Sequence, residues 1–102
     1  MSGRKSRRKG KTGELELVAY ARNMGLAATR IPLSGASEGF KGDIIIEGRV
    51  YGVKRWKRAL NNKIKEDLVK FRGCFIREDR QDWWVILPAE DYFKLLQRVK
   101  GG

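Results

Sequence analysis

Asp43 and Lys54 are the residues whose types and spacing could do chemistry together. Glu47-Gly48 is a two-residue hairpin signal. If those two residues turn, Ile46 pairs with Arg49, Ile45 with Val50, Ile44 with Tyr51 and Asp43 with Gly52. Side chains alternate along a strand, so one face carries Asp43, Ile45, Val50, position 52 and Lys54. Opposed residues have Cβ atoms roughly 4.5–5.5 Å apart, close enough for two carboxylates to hold one divalent cation. Position 52, opposite the aspartate, is glycine. The same placement admits a plainer reading, a strand-edge acid in a weak ion pair with Lys54.

The rest of the composition narrows the chemistry. There is no histidine and Cys74 is the lone thiol, which excludes Cys/His zinc sites, Ser-His-Asp and Cys-His machinery, and an imidazole base. Carboxylates, lysine, hydroxyls, backbone and a metal ion remain. One cysteine forbids an internal disulfide and fits a reducing cytoplasm. The longest apolar runs fall far short of a membrane span, so the expectation is a soluble cytoplasmic protein.

With 102 residues the chain is one domain's worth. Its 23 Lys and Arg stand against 12 Asp and Glu, a net charge of +11. The excess is focused. Residues 1–12 hold Arg4, Lys5, Arg7, Arg8, Lys9 and Lys11 and no acid; residues 49–72 include Arg49, Lys54, Arg55, Lys57, Arg58, Lys63, Lys65, Lys70 and Arg72 against Glu66 and Asp67. Blocks of this kind neutralise phosphates and release counterions, so a nucleic-acid partner is expected. A membrane surface is the competing polyanion, but the N-terminal block lacks the Trp, Phe and Leu of an interfacial helix.

Residues 1–11 cannot bury anything and predict a mobile basic arm, leaving 12–102 as a single domain. Thr12 as N-cap, the apolar spacing of Leu15, Val18 and Ala19, and Gly25 as C-cap predict a helix over 13–24. A β-like stretch at 27–31, a Gly/Ser-rich loop over 32–42, and strands at 43–46 and 49–56 follow. Leu60, Ile64, Leu68 and Phe71 predict a helix over 59–71. A second hairpin at 74–77 and 83–87 and a last helix over 89–98 complete the order αβββαββα. Strands apolar on both faces favour one mixed central sheet flanked by helices, an α/β fold. On that fold Trp83 and Trp84 are core and sheet-face residues rather than base-stacking platforms, and Cys74 is a buried small hydrophobe.

Several segments arrive in the order of a known family. Arg8-Lys9-Gly10 stands before the first helix and Glu14 early in it. Arg30-Ile31-Pro32-Leu33-Ser34-Gly35 is similar to an R-x-P-x-S-G segment, Gly42-Asp43-Ile44-Ile45 to an aspartate opening the second core strand, and Val53-Lys54-Arg55 to the end of an E-x-K-S/R strand. Over about residues 8–87 the chain resembles the archaeal-type Holliday junction resolvases, a branch of the PD-(D/E)XK nucleases. One departure stands out: the E-x-K glutamate would fall at position 52, here Gly52. Glu47 lies about 13 Å along the strand from Asp43 at ~3.3 Å per residue, and nothing pins Glu38 of the loop near it.

The resemblance implies a structure-selective endonuclease that resolves four-way DNA junctions in recombination and repair. It implies Mg²⁺, with Mn²⁺ able to substitute, held by Asp43, the group missing at Gly52 and the Val53 carbonyl, with Glu14 on a metal-bound water or second ion. Lys54 would orient or deprotonate the attacking water and stabilise the pentavalent phosphate, and Ser34 would contact the scissile phosphate or a metal-bound water. Two symmetric cuts imply a homodimer. The basic arm, Arg30, Arg55, Lys57 and Arg58 would grip the phosphate backbones. With one carboxylate missing, severely reduced cleavage and retained binding are expected. Simpler roles stay open: Glu14 as a helix N-terminal acid and Ser34 as a turn residue. Two other functions compete, a noncatalytic DNA-binding protein on a nuclease fold and a related nuclease of different specificity.

Overall fold

The computed structural model describes residues 2–31 and 42–101, with residues 2–10 described by backbone alone. Its elements are α1 (Ser2–Asn23), β1 (Ala28–Arg30), β2 (Ile44–Ile46), β3 (Arg49–Tyr51), α2 (Asn62–Phe71), β4 (Cys74–Arg77), β5 (Trp83–Ile86) and α3 (Ala89–Gly101). The order αβββαββα and the α/β class are those the sequence predicts. The single mixed sheet is not. The strands form two separate antiparallel sheets, β1-β2-β3 and β4-β5.

α1 is 22 residues long, about 33 Å. It begins at Ser2 rather than after Thr12, so the expected boundary between a mobile arm and a helix is replaced by one continuous helix. The physical reason is local: Arg and Lys are good helix formers and no proline interrupts the run, although residues 2–11 lack the apolar periodicity that marks a buried face. The other end is as expected. Gly25, at φ 79°, lets its N–H reach the Arg22 carbonyl at 2.9 Å and that of Leu26 reach the Ala21 carbonyl at 3.0 Å. This is a Schellman closure. Leu26 and Ala21, which accompany it, are both buried.

The β2–β3 hairpin has the expected register, Ile44 with Tyr51, Ile45 with Val50 and Ile46 with Arg49. Glu47 and Gly48 both carry positive φ, 48° and 81°, the left-handed pair of a type I′ turn whose twist matches the strands. β1 adds antiparallel on the far side of β2, Arg30 opposite Ile44 and Ala28 opposite Ile46. β3 is shorter than the expected 49–56. Beyond Tyr51 the Asp43 side chain, in place of a ladder carbonyl, accepts the Val53 N–H at 2.7 Å, and the chain leaves the sheet.

The core lies between the C-terminal half of α1, the inner face of β2, and α3: Val18, Ala21, Leu26, Ile44, Ile46 and Phe93. Ile44 is fully buried, which contributes about 1.5–3 kcal/mol relative to leaving it in water. Phe93 meets the Tyr20 ring edge-on at 5.4 Å. The far end of α3 is tied down by Lys100, which donates to the Glu47 carboxylate and to the Gly25 carbonyl, each at 3.0 Å. Glu47 also accepts the Ala27 N–H. That bond, then the Lys100 ammonium, holds its carboxyl below the usual range.

α2 is capped by Asn61, whose side chain accepts the Ile64 N–H at 2.9 Å. It ends at Arg72 in the left-handed region. The Arg72 guanidinium forks onto Asp91 at 2.8 and 3.0 Å, joining the end of α2 to the start of α3. Over β4–β5 the expected cover is missing among the described residues. Trp83 and Trp84 are 64% and 66% exposed, so their reading as core residues is corrected, and Cys74 is half-buried rather than buried. Trp83 lies on the outer face, which has no second layer among the described residues, whereas Trp84 shares the face of Ile76 and Ile86 and is left uncovered there.

Candidate functional site

The open end of the β1-β2-β3 sheet gathers several of the expected site residues. Asp43 stands just before β2. Its N–H donates to the Tyr51 carbonyl at 2.9 Å, and its own carbonyl accepts the Ile31 N–H at 3.0 Å. The residue is thus clamped between the ends of β3 and β1. Its half-buried carboxylate points toward the chain leaving β3, where Oδ2 accepts the Val53 N–H.

Gly52 lies beside that carboxylate. A Cβ built at position 52 would meet only the Asp43 Oδ2, at 3.9 Å, an ordinary van der Waals distance. The juxtaposition drawn from hairpin register is therefore present, and nothing in the backbone requires glycine there.

Glu14 reaches the same end of the sheet from α1. Its Oε1 accepts from the Arg30 Nε at 2.9 Å, with the side chains 17% and 30% exposed. Arg30 sits opposite Ile44, one residue from Asp43. Glu14, expected at a metal, and Arg30, expected on DNA, are paired with each other. Opposite charges on α1 and β1, each separately legible, could have signalled this pair.

Val53 is half-buried against the core. Lys54 follows on irregular chain, so the common strand face expected for Asp43 and Lys54 ends at Tyr51. Among the described residues no ion pair joins Lys54 to Asp43. Lys54 instead lines an open cleft of about 280 Å³ with Gly13, Glu16, Leu17, Tyr20, Val53 and Arg55. α1 approaches this segment closely. A Cβ on Gly13 would lie 3.2 Å from that of Arg55, and the Arg55 guanidinium stands 3.9 Å from the Glu16 carboxylate.

The basic residues fall in two groups. Lys11 is exposed on α1, and Arg4, Lys5, Arg7, Arg8 and Lys9 lie along its first turns, where the description is of backbone. Arg55, Lys57 and Arg58 are exposed on the segment between β3 and α2. Trp56, expected only as the end of a strand, is 63% exposed in the midst of these three cations and is a further candidate contact. Its signal is an aromatic interleaved with basic residues. Ser34 and Glu38 lie outside the described residues.

The donor set does not fit Mg²⁺ as it stands. Such an ion needs several hard oxygen ligands in near-octahedral array. Asp43 has one oxygen engaged by Val53, Glu14 is engaged by Arg30, and position 52 supplies no side-chain oxygen. No group of three or more Asp, Glu, Cys or His among the described residues could hold a metal ion.

No helix among the described residues is long and apolar enough to cross a membrane. In comparisons with known proteins, no family model, curated protein or solved structure matches this chain.

Proposed function

We propose that this chain is a branched-DNA-binding protein of the junction-resolving endonuclease type, acting in the cytoplasm in DNA recombination and repair, whose cleavage centre lacks one carboxylate. The observation that carries the reading is the placement of Gly52 beside Asp43, with room for a side chain and only the Asp43 carboxylate as neighbour. A glutamate there would bring two carboxylates together at the mouth of the sheet, in front of Lys54 and the basic segment that follows it. The net charge of +11 supports a polyanionic partner. Exposed Arg55, Lys57 and Arg58 supply phosphate contacts, which position without reading base sequence, and so suit recognition of branch shape. A pair of copies would present two such centres to a two-fold junction.

Because the residues present do not make a Mg²⁺ site, cleavage by the chain as it stands is expected to be minimal. A noncatalytic binding protein is the second reading, favoured by the Glu14–Arg30 pair, which commits to structure an acid that catalysis would need free. One experiment separates them. The chain and its Gly52→Glu variant are incubated with a four-way junction and a linear duplex, with Mg²⁺ or Mn²⁺. Paired symmetric nicks in the junction by the variant alone support the first reading. Absence of cleavage by both, with junction binding intact, supports the second. Efficient cleavage by the chain with Gly52 overturns the account of position 52, and equal cutting of duplex points to a nuclease of other specificity.

A further inference from the structure

The second half of the fold has no interior of its own. The buried residues come from α1, the α1–β1 connection, Ile31, β2 and α3; α2, β4 and β5 contribute none. α2 packs on one side of the β4–β5 hairpin, where Cys74, Ile76 and Ile86 are half-buried and Trp84, opposite Ile76, is 66% exposed. By register, the other side carries Phe75 opposite Val85 and Arg77 opposite Trp83. Phe75 is 73% exposed, Trp83 64% and Val85 51%. Arg77 stacks over the Trp83 ring at 5.3 Å. A contiguous exposed aromatic patch marks an interaction site.

We propose that this outer face of β4–β5 is covered by the same face of a second copy of the chain. Charge selects the occupant. The strands are joined by Glu78-Asp79-Arg80-Gln81-Asp82, an acidic loop in a chain of net charge +11. A nucleic acid approaching the patch would meet carboxylates at its rim. Two copies meeting through residues 49–72 would set cations against cations. On the hairpin, both signs surround an apolar centre, so the patch can pair with itself about a two-fold axis, the arginines of one copy facing the acids of the other. Two aromatics of ~150–250 Å² each, 73% and 64% exposed, supply about a third of the ~800 Å² that each partner contributes to a stable interface, and Val85 with the flanking charged residues would supply the rest. The inference deepens the two-fold pairing in the proposed function by naming its surface, and its test uses no DNA.

Sedimentation velocity of the full chain, from about 1 to 200 µM, should show a monomer–dimer equilibrium with a Kd in the micromolar range. Phe75→Glu and Trp83→Glu should each weaken it by at least tenfold. Val99→Glu, at an equally exposed apolar residue of α3, should leave it unchanged. Hydrogen exchange on the unmodified chain gives a readout that needs no variant: amides of β4 and β5 should lose protection on dilution while those of β2 keep theirs. A chain monomeric throughout overturns the proposal, as does a dimer that survives both glutamate substitutions. So does a monomer whose hairpin gains protection only on adding a single-stranded oligonucleotide, which would make the patch a base-stacking surface.

Discussion

Gly52→Glu has a consequence for stability that can be worked from the geometry. A Cβ at position 52 stands 3.9 Å from the Asp43 Oδ2, so a glutamate there brings two carboxylates to about 5 Å. At that separation their repulsion is about 1 kcal/mol at the dielectric of water and about 3 kcal/mol at an effective value of 20. For a domain of this size, 1 kcal/mol moves Tm by about 4–8 °C. The variant should therefore melt about 4–24 °C below the parent in EDTA at neutral pH, and the deficit should vanish in acid as one carboxyl takes up a proton. A divalent cation reverses the sign, because it is attracted by the charges that repel each other. Mg²⁺ at 100 times its Kd adds about 2.7 kcal/mol, enough to restore or exceed the parent Tm. The parent, with no carboxylate at 52, should not respond. Gly52→Ala is the control, expected to stabilise by about 0.4–1 kcal/mol through the unfolded chain. Circular-dichroism melts at low ionic strength, with EDTA and with Mg²⁺, read all three. If the glutamate variant melts at one temperature in both conditions, the two positions do not form a ligand pair and the reasoning fails.

Other expectations follow from single contacts. Ile44→Ala, at the fully buried centre of β2, should cost about 2–5 kcal/mol in a urea titration; a loss below about 1 kcal/mol would mean the core is not where the structure puts it. The Glu47 carboxyl has a folded pKa below its unfolded one, so the folded state binds its proton more weakly and stability rises with pH. That contribution is present above the usual carboxylate range and fades as pH falls through the folded value; Glu47→Gln should flatten the acid limb of the Tm-versus-pH curve. Trp56→Ala should weaken DNA binding by about 1–3 kcal/mol with an unchanged salt slope, whereas Lys57→Ala should lower the slope by about 1, both measured by fluorescence anisotropy.

What could be read from sequence was whatever is decided locally. Glu47-Gly48 sets the hairpin register because a type I′ turn needs left-handed residues at both positions. From that register the proximity of Asp43 and position 52 follows directly. Gly25 marks the end of α1 for the same kind of reason. The start of α1 was hidden because its first turns carry charge without apolar periodicity, so Thr12 looked like a beginning. The early end of β3 was hidden because it depends on a side chain, Asp43, taking the place of a ladder carbonyl. Strand assortment was hidden as well: the apolar runs at 74–77 and 83–86 show that cover is wanted, not where it comes from. The Glu14–Arg30 pair joins residues sixteen apart in sequence, and helix and strand periodicity alone do not report it.

The proposed function rests on recognition of branched DNA by shape and charge. It is tested most directly by measuring affinity of the unmodified chain for a four-way junction and for a linear duplex of equal length across a salt series. The account predicts at least tenfold tighter binding to the junction, with log K falling on log salt at a slope steeper than about −4, as five or more phosphate contacts require. Equal affinity for the two DNAs, or an affinity that hardly changes with salt, would contradict it.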